Sequence, residues 1–424
     1  MKARYFILAA ALVLAACTQK ETIGTEPVTP LGFDTYTVRA NTKAGTAGEI
    51  ISKEDLQVSN FGVFAYYHNG ATYTSGTSTP DFMWNQKVEF DGDKWIYTPV
   101  KYWPNESGGT APDCISFFAY APYVEASTAG AVSPDSDGIT GIVTLNNSAN
   151  DPVLSYKTPA DPLQTVDLLW GVVSSTKTSY TTIDGSPQAV TAGLPNLNLT
   201  KQTTDEKIMF QFKHALAKLT LDVMGYFDEV PGGSGSGNNN VAKDTKIVVE
   251  YVKLSTPNYG TVANLNLNNT TADTPRWSTP TTPVSFTIEG AQLTNLIRYR
   301  TPSAADKGYV EQPRGVTNDP TPLMASEASK EAFFGIIPVL LSGTTATWTA
   351  EIKYHVFTKD DNLNNGYSEI VNTIKDEDIT LTLDPGKHYT LRLRLGMTSV
   401  KFDATVGDWV DGGTTSTDLP VNAN

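Results

Sequence analysis

The chain has 424 residues, a formal net charge of −14 and only 18% charged residues. An acidic chain without clusters of Lys or Arg repels the phosphates of nucleic acids, which excludes a nucleic-acid-binding function. The 33 glycines, 25 prolines and 10% aromatic residues favour strands and turns, and the length suits two domains. We therefore expect a mainly β protein.

The N terminus is typical of an export signal. Lys2 and Arg4 form a short positive region, and the apolar run over residues 5–14 is too short to span a bilayer. Residues 14–17, Leu-Ala-Ala-Cys, match a lipobox, in which the Cys thiol receives a diacylglyceryl group. We predict a signal peptide over 1–16 and a lipidated Cys17 that anchors the chain to a membrane. The alternative is an ordinary cleavage site followed by an unrelated Cys.

Strand patterns follow in the first half of the chain. Residues 17–30 are polar and contain Pro, so they are predicted to form a tether. Residues 61–67 and 71–73 are predicted to form a strand, a turn and a second strand. Residues 87–97 are expected to form a hairpin around an Asp-Gly turn, and residues 115–120 a strand buried on both faces.

The second half contains the clearest alternation of apolar and polar residues. Residues 348–356 are predicted to form a half-buried strand, and residues 379–395 a hairpin around the turn at 384–387. The only helical signal that we note is a possible turn near 327–333. Residues 232–240, rich in Gly, Ser and Asn, have the composition of a linker, but we interpret them as a hairpin tip because strand patterns flank them. The domain boundary is predicted near residue 200, giving domains over 31–200 and 201–424.

Several segments, taken in order, resemble the fimbrillin-like (major fimbrial subunit) family of Bacteroidales. Besides the lipobox, they are YTVRA at 36–40, FGVFAY at 61–66, KYWP at 101–104, SFFAYAP at 116–122, VDLLW at 166–170, FQFKHALAKL at 210–219 and FGIIP at 334–338. The resemblance implies an all-β fold of two tandem transthyretin-like antiparallel β-sandwich domains. It also implies a lipoprotein of the outer membrane that becomes a structural subunit of an adhesive surface fimbria.

The same resemblance implies assembly with other fimbrial subunits by donor-strand exchange. An arginine-specific protease removes the N-terminal strand together with its lipid, and a neighbouring subunit fills the vacated groove with a strand. Arg39 is the cleavage position that this mechanism indicates, because it follows a plausible strand at 33–38 and is the only Arg between Arg4 and Arg276. The alternative is that Arg39 is only an outward-facing charge on an edge strand.

The donor strand is predicted in the C-terminal segment 399–424. Apolar and polar residues alternate there, and the apolar positions are Val400, Phe402, Ala404 and Val406. Burial of the larger of these side chains would contribute about 1.5 to 3 kcal/mol each. The alternative is that this segment is the last strand of its own domain, which would make the protein a cap, tip or anchor subunit.

The sequence gives no support for an enzyme, a cofactor or a metal site. The four histidines are scattered, the calcium-like loop at 360–366 has its Gly one position too late, and the Ser-x-x-Lys at 174–177 lacks its companion motifs. A second functional hypothesis is a surface lipoprotein that binds glycans of host or bacterial surfaces and does not polymerise. Its sugar-stacking candidates are Tyr66, Tyr67, Tyr102, Trp103 and Tyr123, although such residues more often pack in cores.

Overall fold

The protein is described by a computed structural model that covers most of the region between residues 29 and 419. The described residues are 29–36, 50, 52–104, 112–126, 137–161, 164–225, 245–289, 321–322, 333–359, 362–364, 367–395, 400–409 and 417–419. Within them the chain forms 23 strands and one helix, which confirms the all-β class. No helix in this part of the chain is long and apolar enough to cross a membrane.

The single described helix, α1 (Lys53–Ser59), was not predicted from the sequence. Ser52 forms a capping box with Asp55: its hydroxyl accepts a hydrogen bond from the Asp55 N–H, and its own N–H donates to the Asp55 carboxylate, both at 3.1 Å. Leu56 is buried on one face of the helix. The helix is too short for a periodic pattern, so the capping residues were its only signal.

Eight strands form the first sheet, with the order β1-β12-β8-β5-β2-β3-β4 and β11 paired with β5. The strands are β1 (Phe33–Tyr36), β2 (Phe61–His68), β3 (Met83–Phe90), β4 (Trp95–Ile96), β5 (Cys114–Ala121), β8 (Leu169–Val172), β11 (Asn196–Leu199) and β12 (Ile208–His214). The strands β9 (Ser179–Thr181) and β10 (Pro187–Ala189) form a separate ribbon. The predicted hairpin at 87–97 is confirmed by β3 and β4, and β5 is buried on both faces as predicted.

The central sheet has seven strands, and β14 is its longest. Its members are β6 (Gly138–Ile142), β7 (Val153–Lys157), β14 (Thr245–Asn266), β15 (Arg276–Trp277), β16 (Thr281–Glu289), β19 (Thr347–Lys359) and β20 (Tyr367–Thr380). The order is β20-β19-β14-β7-β6, and β15 and β16 also pair with β14. The predicted alternation over 348–356 is confirmed, because Trp348, Ile352 and Val356 are buried in β19.

The third sheet has six strands, with the order β17-β13-β21-β22-β23 and β18 paired with β13. They are β13 (Ala217–Gly225), β17 (Thr321–Pro322), β18 (Phe334–Ile336), β21 (Lys387–Leu395), β22 (Val400–Asp408) and β23 (Thr417–Leu419). Two pairs are parallel, β1 with β12 and β13 with β21. The prediction of antiparallel sheets is therefore wrong for these two pairs.

Three apolar clusters hold the sheets together. The outer core covers one face of the first sheet and contains Phe33, Phe61 and Phe117. The junction core lies on the other face of that sheet and includes Tyr156 and Leu265 of the central sheet. The C-terminal core lies between the central and third sheets. Residues of β2 and β5 alternate between the first two cores, because successive side chains of a strand point to opposite faces.

Three local predictions are wrong. Residues 379–395 do not form a hairpin, because β20 pairs with β19 in the central sheet whereas β21 pairs with β13 and β22 in the third. Residues 232–240 lie outside the described residues, but the flanking strands β13 and β14 belong to different sheets, so the segment between them does not close a hairpin. Residues 71–73 are not a strand, and β2 pairs with β3 instead.

The division of the chain near residue 200 stays a prediction. Strands that precede residue 200 pair with strands that follow it, since β1 pairs with β12 and β7 pairs with β14. The central sheet therefore contributes to the junction core and to the C-terminal core.

Candidate functional site

The first described segment, residues 29–36, lies along one border of the first sheet. The N–H of Leu31 donates to the Lys101 carbonyl at 2.9 Å, and the Trp103 N–H donates to the Thr29 carbonyl at 3.0 Å. The segment then continues as β1, which pairs in parallel with β12 from Phe33 opposite Ile208 to Tyr36 opposite Gln211. No other described strand pairs with β1, so it is an edge strand on this side.

The inward face of β1 completes the outer core. Phe33 is buried, and its ring centroid lies 5.4 Å from that of Tyr97, 5.9 Å from that of Phe117 and 6.0 Å from that of Phe210. Leu31 is buried in the same cluster. Burial of these two side chains contributes roughly 1.5 to 3 kcal/mol each. The segment is therefore held by residues 101–103 at its start and by β12 along β1, while β1 itself has one described neighbouring strand.

A buried hydroxyl fixes the start of the segment. The Tyr97 hydroxyl donates a hydrogen bond to the Leu31 carbonyl at 2.7 Å. Burial raises the pKa of Tyr97 to about 12, so the hydroxyl stays protonated and available as a donor. On the outward face, the Asp34 carboxylate accepts from the Thr35 N–H at 2.8 Å and is 4.0 Å from the Lys207 ammonium group. The outward contacts are exposed and weak.

Departure of this segment would create a groove with a defined chemistry. Its floor would be the rings of Tyr97, Phe117 and Phe210, and one wall would be the unpaired backbone of β12. Apolar surface and unpaired backbone groups are both costly in water, and an extended strand satisfies both at once. Departure of the segment would leave the pairing among the other strands of the sheet in place, because β1 lies at the end of the strand order.

The C-terminal candidates lie in β22. This strand pairs with β21 over nine positions, from Val400 opposite Leu395 to Asp408 opposite Lys387, and with β23 over residues 404–406. Ala404 is buried in the C-terminal core, and Val406 packs against it. In this structure β22 is thus a strand of its own sheet, lying between β21 and β23.

Trp409 directly follows β22. The sequence patterns did not identify it as a residue that holds this strand in place. Its ring stacks on that of His214 at 4.0 Å with an interplanar angle of 8°, and its backbone N–H donates to the Gly386 carbonyl at 2.9 Å. The His214 imidazole is in turn 2.9 Å from the buried Asp167 carboxylate. The end of β22 is therefore tied to β12 of the first sheet by a contact that only the tertiary structure reveals.

The remaining predicted site residues have different outcomes. Cys17 and Arg39 lie outside the described residues, with Arg39 soon after the end of β1. Of the sugar-stacking candidates, Tyr66 and Trp103 are buried in the cores and Tyr102 is 48% exposed, so the five do not form one exposed platform. Among the described residues, no group of three or more His, Cys, Asp or Glu side chains could hold a metal ion.

Comparison with known proteins identifies relatives of this chain. A family model described as fimbrillin-like matches residues 42–409. The fimbrium subunit Fim1C of Phocaeicola vulgatus is 25% identical over 428 aligned positions, which cover 97% of each chain. The crystal structure of a fimbrial protein from Bacteroides vulgatus has a TM-score of 0.60 at 20% identity, covering 90% of this chain and 100% of the other. That structural likeness concerns the fold.

Proposed function

This chain belongs to the fimbrillin-like family, and from that premise we propose that it is exported as a lipoprotein and assembled into a fimbria by strand exchange. Its function is then structural and adhesive, and its partners are other fimbrial subunits. The relative that covers almost the whole chain is itself named a fimbrium subunit.

The observation that carries the proposal is the position of β1. β1 is an edge strand with a buried apolar face, so its release takes Leu31 and Phe33 out of the outer core but leaves the pairing among the other strands of the first sheet in place. The strand is preceded by the lipobox at Cys17 and followed by Arg39. One cut after Arg39 by an arginine-specific protease would thus release the outer-membrane anchor and open the groove together.

The donor strand is proposed to come from the segment 399–424 of a second subunit. Within that segment β23 has three residues and lies at the edge of the third sheet, whereas β22 is paired on both sides. Release of β23 therefore breaks fewer contacts than release of β22. If β22 stays in place, the donated residues are those that follow Trp409.

Proteolysis of the purified full chain tests the proposal. Treatment with an arginine-specific protease is expected to remove the residues up to Arg39 and to convert monomers into a ladder of oligomers, because the open groove binds a strand from another subunit. Mass spectrometry identifies the new N terminus, and light scattering measures the size of the products. The mature chain recovered from cells is expected to start just after Arg39.

The matched control is Arg39→Gln, which removes the cleavage position and leaves the groove filled. This variant is expected to remain monomeric under the same treatment and to keep an acylated Cys17 in cells. Monomers after complete cleavage at Arg39, or equal polymerisation of Arg39→Gln, would contradict the proposal.

A further inference from the structure

Among the described strands, the central sheet ends in a long strand with one neighbour. β20 has 14 residues and pairs with β19, and no other described strand pairs with its outer edge. The other strands at the ends of the three larger sheets, β1, β4, β6, β17 and β23, have five residues or fewer. An unpaired strand edge is a template for pairing with another chain, and short edge strands reduce that tendency.

One other long strand, β16, has a single described neighbour, and its chemistry differs from that of β20. It contains Pro283, which cannot donate a backbone hydrogen bond, and its apolar residues Val284, Phe286 and Ile288 are all buried. On β20, by contrast, Ile370 is 45% exposed and Val371 is 50% exposed. These two residues lie on opposite faces of the strand, so a strand added at this edge would cover both.

The two halves of β20 are not equally open to pairing. A register shift in the pairing with β19 falls between Ile374 and Glu377 of β20, so Lys375 and Asp376 lie within it and the acidic residues 376–378 extend beyond it. Bulges and charges are devices that protect edge strands. Residues 368–374, which lie before the shift, pair with β19 in a regular register and contain no proline.

The sequence of this segment is complementary to itself in one antiparallel register. A two-fold axis perpendicular to the sheet must pass through a residue, because directly opposed side chains lie on the same face. With the axis at Asn372, Glu369 lies opposite Lys375 of the second copy, and Ile370 lies opposite Ile374. An axis at position 371 places Glu369 opposite Thr373, and an axis at 373 places it opposite Glu377. Of these three registers, only the one at Asn372 pairs opposite charges.

The same register joins apolar surface to apolar surface. Ile374 packs at the border of the C-terminal core, and Ile370 lies farther out on the same face. In the two-fold arrangement each Ile370 would cover the Ile374 of the other copy, so that the two cores become continuous across the interface. Lys375 and Glu369 lie on the outer face, where their present contacts are with Glu351 at 3.7 Å and His355 at 2.6 Å.

We propose that residues 368–375 of β20 form a lateral self-association surface, at which a second copy of this chain adds its own β20 in antiparallel orientation about Asn372. The interface is one ladder of about eight residues, which is small, so the dimer of isolated chains is weak and forms at high concentration. It is independent of β1 and Arg39, and its failure would leave the strand-exchange mechanism untouched.

Charge reversal tests the register directly. Glu369→Lys places Lys opposite Lys twice in the dimer, and Lys375→Glu places Glu opposite Glu twice. Each single variant of the full chain is expected to weaken self-association by roughly 10-fold or more, measured by sedimentation velocity. An equal mixture of the two variants is expected to recover dimers, because both cross-strand pairs then have opposite charges.

The mixing experiment distinguishes loss of the proposed interface from a change in folding. Both variants also lose a contact within the chain, and mixing restores none of those contacts, so recovery in the mixture requires the intermolecular pairs. A second measurement uses Asn372→Cys in a Cys114→Ser background, which is expected to form an intermolecular disulfide, while Val371→Cys, opposite Thr373, does not. A wild-type chain that stays monomeric at its highest soluble concentration overturns the proposal, and so does self-association that the single reversals leave unchanged.

Discussion

At the residue scale, Asp151 is the most heavily hydrogen-bonded carboxylate that we describe. It is buried and accepts from Tyr73 at 2.7 Å, Ser75 at 2.8 Å, Asn266 at 2.8 Å and Arg276 at 3.1 Å. These residues come from the loop after β2 and from the β14–β15 region. One ionised side chain therefore joins the first sheet to the central sheet.

The pKa of Asp151 makes this joint sensitive to acid. Burial alone would raise the pKa, but hydrogen bonds from Asn266, Tyr73, Ser75 and the Gly76 N–H outweigh it and hold the pKa below its ordinary value. A depressed pKa stabilises the fold above the ordinary Asp value of about 3.9, and that contribution is lost as the pH falls through the folded-state pKa. We expect the free energy of unfolding, measured by urea titration, to fall as the pH is lowered below about 4.

The variant Asp151→Asn removes the charge and most of this acid dependence. We expect it to lower the free energy of unfolding at neutral pH by about 2 to 3 kcal/mol, because buried donors lose their acceptor. The matched control is Glu89→Gln, which breaks an exposed pair with Lys87 and is expected to cost less than about 1 kcal/mol. An unchanged acid slope in Asp151→Asn would contradict this assignment.

At the element scale, the strength of β1 depends on its inward face. We expect Phe33→Ala to lower the free energy of unfolding by about 3 kcal/mol, because its ring fills the space between Tyr97, Phe117 and Phe210. Amide hydrogen exchange at β12 should become faster in this variant, since the ladder with β1 opens more often. The neighbouring outward substitution Asp34→Ala is the control, with an expected effect below about 1 kcal/mol. Equal effects of the two substitutions would show that β1 does not close the groove.

The elements also show which features the sequence can predict. Local pattern alone predicted β5 from its continuous apolar run and β19 from its alternation, which fixes the residues on each face. Alternation does not fix the partner strand: the sequence of 379–395 has two alternating segments and a tight turn, which fit a crossing between sheets as well as a hairpin. The candidate site likewise has residues that the sequence predicts and residues that it does not. The alternating residues of β22 were predicted, whereas the stacking of Trp409 on His214 depends on residues far apart in sequence.

At the scale of the whole molecule, β14 belongs to the central sheet and contributes side chains to the cores that this sheet shares with the first and third sheets. Its first part pairs with β19 over residues 245–255, where it faces the C-terminal core, and its last part pairs with β7 over residues 262–266, where it faces the junction core. Side-chain bonds cross the same region: the Trp277 indole donates to the Ala215 carbonyl at 2.9 Å, and the Thr158 hydroxyl donates to the Gly335 carbonyl at 3.0 Å. A subunit that carries tension in a fimbria would benefit from such continuity.

This continuity leads us to expect one cooperative unfolding transition, although the chain is long enough for two independent domains. Scanning calorimetry of the full chain should give equal calorimetric and van't Hoff enthalpies. Leu265→Ala, in the last part of β14, should lower the melting temperature and speed hydrogen exchange in both β5 and β19 without splitting the transition, because the strand belongs to one cooperative unit. Leu363→Ala, at an exposed position, is the control and should change neither. Two resolved transitions, with only the lower one shifted by Leu265→Ala, would mean that the two ends of β14 lie in units that unfold separately, and that the strand does not couple them.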